Sequence, residues 1–159
     1  MPRVSIQTAD FDLAAEVAAL RAGDDGVGAV ASFVGTVRSR NDGSAVSGME
    51  LEHYPGMTEA SIAAIVAQAR TRWQLGAVRV IHRVGRLAPG AQIVLVGVAS
   101  AHRHDAFAAC EFIMDYLKTR APIWKKEIGA TGARWVESRD SDAQAAARWR
   151  EPDTNEETT

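Results

Sequence analysis

SAHRHDAFAACEFIMDYLKTRAPIWKKE, residues 100–127, sets the terms for the rest of the chain. Phe107, Cys110, Ile113, Met114 and Leu117 recur at helical spacing, which predicts a helix over 103–119 with one apolar face. Pro122 cannot continue that helix, and the residues after it read as a short strand over 123–128. His102, Arg103 and His104 stand at the helix start; Lys118, Arg120, Lys125 and Lys126 stand at or beyond its end. Between these ends, after Asp105, the only acids are Glu111 and Asp115. Two basic ends on one packed element suggest an anion site, since the chain as a whole has a net charge of -2. A surface helix with solvated basic ends fits the composition equally well.

Outward from this stretch the pattern alternates strands with helices. The uninterrupted apolar run Ile93-Val94-Leu95-Val96-Gly97-Val98 predicts a central strand over 92–100, preceded by a strand over 77–84 and joined to it through Leu87-Ala88-Pro89-Gly90. Upstream, Thr58 as cap and Ile62, Ile65, Val66 and Ala69 as a buried stripe predict a helix to about residue 73. Alternation predicts a strand over 49–54, ended by Pro55-Gly56. A β-branched segment over 27–37 is another strand, followed by the polar, turn-forming Arg38 to Gly43 segment. At the start, a strand over 3–6 leads to a helix over 11–21, capped by Asp10 and facing the core with Leu13, Val17 and Leu20. Past residue 128 come a strand over 134–137 and a helix over 141–150. Residues 1–150 read as a single domain and 151–159 as a disordered acidic tail. Strands paired between helices imply an α+β fold, a mixed or antiparallel sheet with flanking helices, and not a doubly wound parallel one.

Composition narrows the class. At 159 residues, 47% hydrophobic and 24% charged, the chain suits one ordinary globular core and argues against non-specific duplex DNA binding. It has no apolar run of about 18 residues, so no membrane span is expected, and its first residues lack the apolar core of a secretory signal. The single cysteine, Cys110, excludes an internal disulfide and fits a reducing, cytoplasmic setting. Its helical apolar position reads as core packing.

Familiar catalytic motifs are absent: no P-loop, no strand-linked GxGxxG, no GxSxG elbow. His102 and His104 form an HxH pair whose only nearby third ligand is Asp105, so no metal is expected. What remains is basic. His102 and Arg103 would sit at a helix N-terminus, where free N–H groups favour an anion. Arg38 follows a strand, a position suited to gripping a phosphate. Lys118 either neutralises the helix C-terminus or takes part in chemistry. Lys125 and Lys126 are adjacent, so on a strand only one can enter a given pocket. Cations crowded around a lysine lower its pKa, which suits a general base or nucleophile. Arg103 and Lys118 are fifteen residues apart, roughly 22 Å along a helix. No small ligand spans that distance, so either the two ends belong to two sites or one pocket joins an end from each of two subunits. The expectation is a twofold dimer with composite sites, Arg38, Lys118 and Lys125 of one chain facing His102 and Arg103 of its mate.

Five segments carry a family resemblance: FVGTVR (33–38), LEHYPGM (51–57), IHRVG (81–85), SAHR (100–103) and MDYLKTRAPIWKKE (114–127). In this order, and from about residue 4 to 149, they closely resemble the large, catalytic subunit of molybdopterin synthase, the MoaE family. The resemblance implies an α/β hammerhead with an additional antiparallel β subdomain. It implies a sulfurtransferase without a cofactor, which converts cyclic pyranopterin monophosphate (precursor Z) to molybdopterin by inserting two dithiolene sulfurs. The donor would be the thiocarboxylate on the C-terminal Gly-Gly of a small ubiquitin-like subunit, within a heterotetramer built on a homodimer of the large chain. By motif position Thr36, Val37, Arg38, His102, Arg103, Lys126 and Glu127 would contact substrate, with Lys118 and Lys125 as the catalytic lysines. Phe33 and Met114 read as core or groove wall, His53 and Tyr54 as structural, and Arg40 as solvated.

Other classes fit parts of the pattern. A non-catalytic pterin- or nucleotide-phosphate carrier explains the basic residues without needing lysines that give up a proton. A scaffold would tolerate loss of Lys118. RNA binding is disfavoured because aromatics are few and not interleaved with basic residues, Trp124 beside Lys125 excepted.

Overall fold

An apolar strand with no polar face needs cover on both sides, and the run at 93–98 has it. The structure, a computed structural model, describes residues 3–41, 43–129, 132–136 and 140–150. Along the chain come β1 (Val4–Gln7), α1 (Leu13–Arg21), β2 (Ala29–Thr36), β3 (Arg40–Asn41), β4 (Ser44–His53), α2 (Met57–Arg72) and β5 (Val78–Arg83). Then follow β6 (Gly85–Leu87), β7 (Gln92–Ser100), α3 (Arg103–Arg120), β8 (Ile123–Gly129), β9 (Gly132–Val136) and α4 (Asp140–Ala147). The expected tail at 151–159 lies outside the described residues.

The first sheet has the order β1-β5-β7-β2, antiparallel except for the β1–β5 pair. Every residue of β7 after Gln92 is buried. Alternate side chains serve opposite faces. Val94, Val96 and Val98 meet Ala106, Ala109 and Ile113 of α3 in the main core, while Leu95 packs with Ile81 and Phe11 on the other side. α1 covers that second face. At Gly97 a Cβ would stand 2.6 Å from Cδ1 of Leu20, so a glycine lets Leu20 lie against the strand.

The second sheet centres on β4. It pairs antiparallel with β8 on one side and with β6 on the other, turns into it from β3, and is extended by β9 beyond β8. The structure is therefore α+β with two sheets and flanking helices, as the strand pairing in the sequence implied. β3 and β6 were not expected. Arg40 and Asn41 read as loop and Gly85 to Leu87 as part of a connection, because strands of two and three residues are too short to display alternation.

Local differences have local causes. α1 starts at Leu13 with Asp12 as its cap, Oδ1 accepting from the Ala15 N–H at 3.2 Å. Asp10 instead accepts from the Phe11 N–H and from Nε2 of Gln92. Leu13, expected in the core, is 36% exposed. Gly56, at φ 85°, caps α2, and the Glu59 carboxylate accepts from its N–H at 2.6 Å. Thr58, expected to cap, is buried inside the first turn. Its hydroxyl accepts from the Tyr54 N–H at 3.0 Å and donates to the Pro122 carbonyl at 2.9 Å. Phe107, expected on the apolar face of α3, is 68% exposed. Cys110 is buried as expected, and burial pushes its thiol up to about 11. Among the described residues no helix is long and apolar enough to cross a membrane.

On its other flank α3 holds α4. Phe112 is ringed edge-on by Trp73, Tyr116 and Trp149, with centroids 5.5, 4.6 and 5.6 Å away, and Nε1 of Trp149 donates to Asp115 at 2.6 Å. Truncating a buried ring at such a junction removes transfer energy and leaves a cavity. Phe112→Ala is expected to lose about 3–5 kcal/mol in chemical denaturation; a loss below about 1 kcal/mol would show that the ring is not packed as described. Thr58→Val keeps the shape but strands the Tyr54 amide and the Pro122 carbonyl, and is expected to lose about 1–3 kcal/mol by the same measurement.

Candidate active site

The end of β2, the last turns of α3 and the first half of β8 converge on a cavity of about 400 Å³. β2 reaches it through a bulge between Gly35 and Thr36. Gly35 keeps the floor open, since a Cβ there would lie 2.8 Å from Cγ1 of Val94. Val37 then locks the strand end: its N–H donates to Ala91 O at 2.9 Å, and the Gly90 N–H donates to its carbonyl at 2.7 Å. Thr36 and Arg38, on either side of this lock, both line the cavity. From α3 come Met114, Leu117 and Lys118, spaced to share one helix face, followed by Ala121 just past its end. From β8 come Lys125 and Glu127, two residues apart and so on one side of the strand.

Three basic side chains, Arg38, Lys118 and Lys125, and two acidic ones, Glu127 and Asp142, face this space. Glu127 is buried and ion-paired with Arg134 of β9 at 3.5 Å, directly across the strand pair. Two ammonium groups and a guanidinium beside the Glu127 and Asp142 carboxylates suit an anion. Among the described residues, no three His, Cys, Asp or Glu side chains gather in a metal-holding arrangement.

His82 of β5 also lines the cavity, only 3% exposed. Burial pushes its imidazole down to about 4, the hydrogen bond at Nδ1 opposes this, and the charges of Lys125, Lys118 and His53 push it lower. Nδ1 lies 2.8 Å from the Arg83 carbonyl. A carbonyl only accepts, so Nδ1 carries the proton and Nε2 keeps the lone pair. The ring is neutral at physiological pH.

Of the residues expected in the site, Thr36, Arg38, Lys118, Lys125 and Glu127 come together here. Val37 does not line the space; it is buried, and its contribution is the backbone lock. Lys126 does not line it either. Pairing across from Trp135 on the outer face of the sheet, it holds its ammonium 4.7 Å from that ring. The strand parity that separates Lys125 from Lys126 was legible in sequence. His102 and Arg103 are exposed at the opposite end of α3, remote from the cavity. Phe33 and Met114 are cavity walls. His53 pairs with Glu59 at 3.6 Å, joining β4 to the start of α2, while Tyr54 is exposed. Sequence reasoning missed His82 and the α4 residues Ser141 and Asp142. For His82 a signal existed, because alternation from Val78 and Val80 puts it on the same buried face.

Comparison with known proteins bears on all of this. The model of the MoaE protein family matches residues 6–120. A molybdopterin synthase catalytic subunit from Ralstonia nicotianae is 66% identical over 149 residues, 94% of this chain and 85% of that one. One from Vibrio cholerae is 61% identical, covering 92% of this chain and 97% of its own. The solved molybdopterin biosynthesis MoaE protein from Burkholderia ambifaria superposes with a TM-score of 0.80 at 57% identity, over 94% and 98% of the two chains. With five motifs, one fold and near full-length identity agreeing, the chain belongs to the MoaE family, the catalytic subunits of molybdopterin synthase.

Proposed function

We propose that the cavity between β2, α3 and β8 is where this chain inserts sulfur during molybdopterin synthesis. The substrate is cyclic pyranopterin monophosphate. The donor is the thiocarboxylate at the C-terminal Gly-Gly of a small ubiquitin-like partner subunit; the relatives' own name, catalytic subunit, speaks for a second kind of chain. The observation that carries the reading is the convergence of Arg38, Lys118 and Lys125, from three separate elements, on one cavity. Both reactants are anions, and fixed cations in a partly dry site stabilise developing negative charge better than water does.

Each cation has a distinct task. Arg38 takes the cyclic phosphate, to which a guanidinium can donate two parallel hydrogen bonds. Lys118 holds the thiocarboxylate and the acyl oxygen, and Lys125 stabilises charge or moves a proton as sulfur adds. Thr36 and Glu127 contact the substrate beside them. The thiocarboxylate sulfur forms a C–S bond at a side-chain carbon of the pterin that bears oxygen, the C–O bond there breaks, its oxygen leaves as water or stays on the opened phosphate ester, and tail and substrate are joined as a thioester. Water adds to the acyl carbon and the acyl C–S bond breaks. Sulfur stays on the pterin as a thiolate, and the tail leaves as a carboxylate. A second donor repeats the step.

His102 and Arg103 enter through a second copy of the chain. Along α3 they stand roughly 22 Å from Lys118, and they complete the cavity of the partner subunit in a twofold dimer at the centre of a heterotetramer.

Two experiments follow. In a reconstitution of the full chain with thiocarboxylated small subunit and precursor, Lys118→Ala should lower kcat by about 10²–10³-fold while both partners still bind. Wild-type turnover with an unchanged Lys118→Ala rate would remove Lys118 from the chemistry. Mixing Lys118→Ala chains with Arg103→Ala chains tests the dimer. Composite sites predict recovery to about a quarter of wild-type activity, because half the dimers are mixed and each has one intact site. No recovery after verified exchange would place both residues in the same subunit's site.

A further inference from the structure

We infer that Thr58 is a positioning residue for the reaction: its hydroxyl, set between the Tyr54 amide and the Pro122 carbonyl, fixes the course of β8 away from α3 and with it the placement of Lys125 relative to Lys118. This deepens the reading of the cavity as the sulfur-transfer site and rests on it.

Three features lead there. First, Thr58 takes the place of a rung in the second sheet. β4 and β8 pair antiparallel as far as His53 opposite Ile123, which makes Tyr54 and Pro122 the next pair. Pro122 has no amide hydrogen to give, and the Tyr54 carbonyl accepts from the Thr58 N–H at 2.9 Å. The Tyr54 N–H donates to Oγ1 of Thr58 at 3.0 Å, and that hydroxyl donates to the Pro122 carbonyl at 2.9 Å. One side chain therefore bridges the strands where direct pairing stops. Second, this bridge has a firm base. Thr58 is buried in the first turn of α2. The Glu59 carboxylate closes that turn, accepting from the Gly56 N–H and pairing with His53. α2 in turn packs against α3, so Thr58 is referenced to the helix that bears Lys118. Third, the bridged joint lies between the two lysines. Ala121 and Ile123 flank Pro122 and both line the cavity, the Ile123 N–H donating to the Ala121 carbonyl at 2.9 Å. Lys118 stands three residues before Ala121, and Lys125 two residues after Ile123. A change of angle at Pro122 is carried directly to Lys125.

A threonine that served only the core would affect stability and leave the lysines where they are. Two variants separate these roles: Thr58→Val keeps the shape and loses both hydroxyl bonds, whereas Thr58→Ser keeps the hydroxyl. Crystal structures of the full chain, without substrate, give the first arm. Thr58→Val should shift the start of β8 and change the separation of Lys118 from Lys125, and Thr58→Ser should leave it as in wild type. An unchanged separation in Thr58→Val would overturn the inference. Kinetics give the second arm, in the reconstitution with thiocarboxylated small subunit and precursor, at a temperature where circular dichroism shows every variant folded. Thr58→Val should lower kcat by about ten- to a hundredfold with little change in the precursor KM, since a misplacement of about 1 Å is enough for such a loss. Thr58→Ser should keep most of the rate. Leu20→Ala opens a cavity beside Gly97, on the far face of the first sheet; it should be destabilised and yet keep the wild-type kcat. Equal losses in Thr58→Ser and Thr58→Val, as large a loss in Leu20→Ala, or an effect confined to KM would leave Thr58 a structural residue. A wild-type chain that forms no product would sink the sulfur-transfer reading instead, and the crystallographic arm would still decide what Thr58 holds in place.

Discussion

Pro122 has no amide hydrogen to give, and its ring excludes another turn of helix. α3 therefore ends at Arg120, Ala121 is already extended, and the chain enters the second sheet as β8. Lys118 lies just before this break and Lys125 just after it. Had the helix run on, seven residues would have carried the second lysine almost two turns further along the axis. The break instead folds β8 back towards the face of α3 that bears Lys118, and both side chains look into one space. The joint is fastened from outside by Thr58, whose buried hydroxyl reaches the Pro122 carbonyl from the first turn of α2. Thr58, directly after the LEHYPGM segment, thus serves the site without entering it.

A cationic cavity also has to keep its charges from being neutralised from within. β8 does this partly by parity. Lys125 and Glu127 line the cavity, while Lys126 lies over Trp135 on the outer face. Glu127, on the same face of the strand, is ion-paired with Arg134 across the strand pair. His82 sits between the sheets and is held uncharged by burial. The cavity therefore sets Arg38, Lys118 and Lys125 beside one neutral imidazole and two carboxylates, Asp142 and the Glu127 that is engaged with Arg134.

Much of this was legible in the sequence, because it depends on periodicity and on Pro122. β7 as a central strand, the extent of α3, the break after it and the divergence of Lys125 from Lys126 all follow from spacing alone. What failed depends on tertiary context. Asp10 and Thr58 are both good caps by type, but each spends its side chain on a long-range bond, to Gln92 and to Pro122. β3 and β6 exist because β4 offers unpaired edges, which nothing within two or three residues encodes. Val37 was placed in the site by motif position, and the structure keeps only its backbone there. His82 shows the converse failure. Its burial could be read from strand alternation, but its company, two lysines from another helix and another sheet, could not.

The misreading of Phe107 bears on the proposed dimer. Helical spacing put it with Cys110 and Met114 on the buried face, yet it stands exposed one turn after Arg103. Residues four apart share a helix face, so Phe107 and Arg103 point into the same region of solvent. On the composite-site proposal that region belongs to the partner subunit. An apolar side chain that a second copy covers carries the same periodic signature as one covered by its own chain, because periodicity records burial and not what does the burying. The same arrangement would set the neighbouring Arg103 and His102 against the partner's cavity. The length of α3 would then be functional in itself: a helix of eighteen residues is long enough that the cations at its two ends serve two different sites.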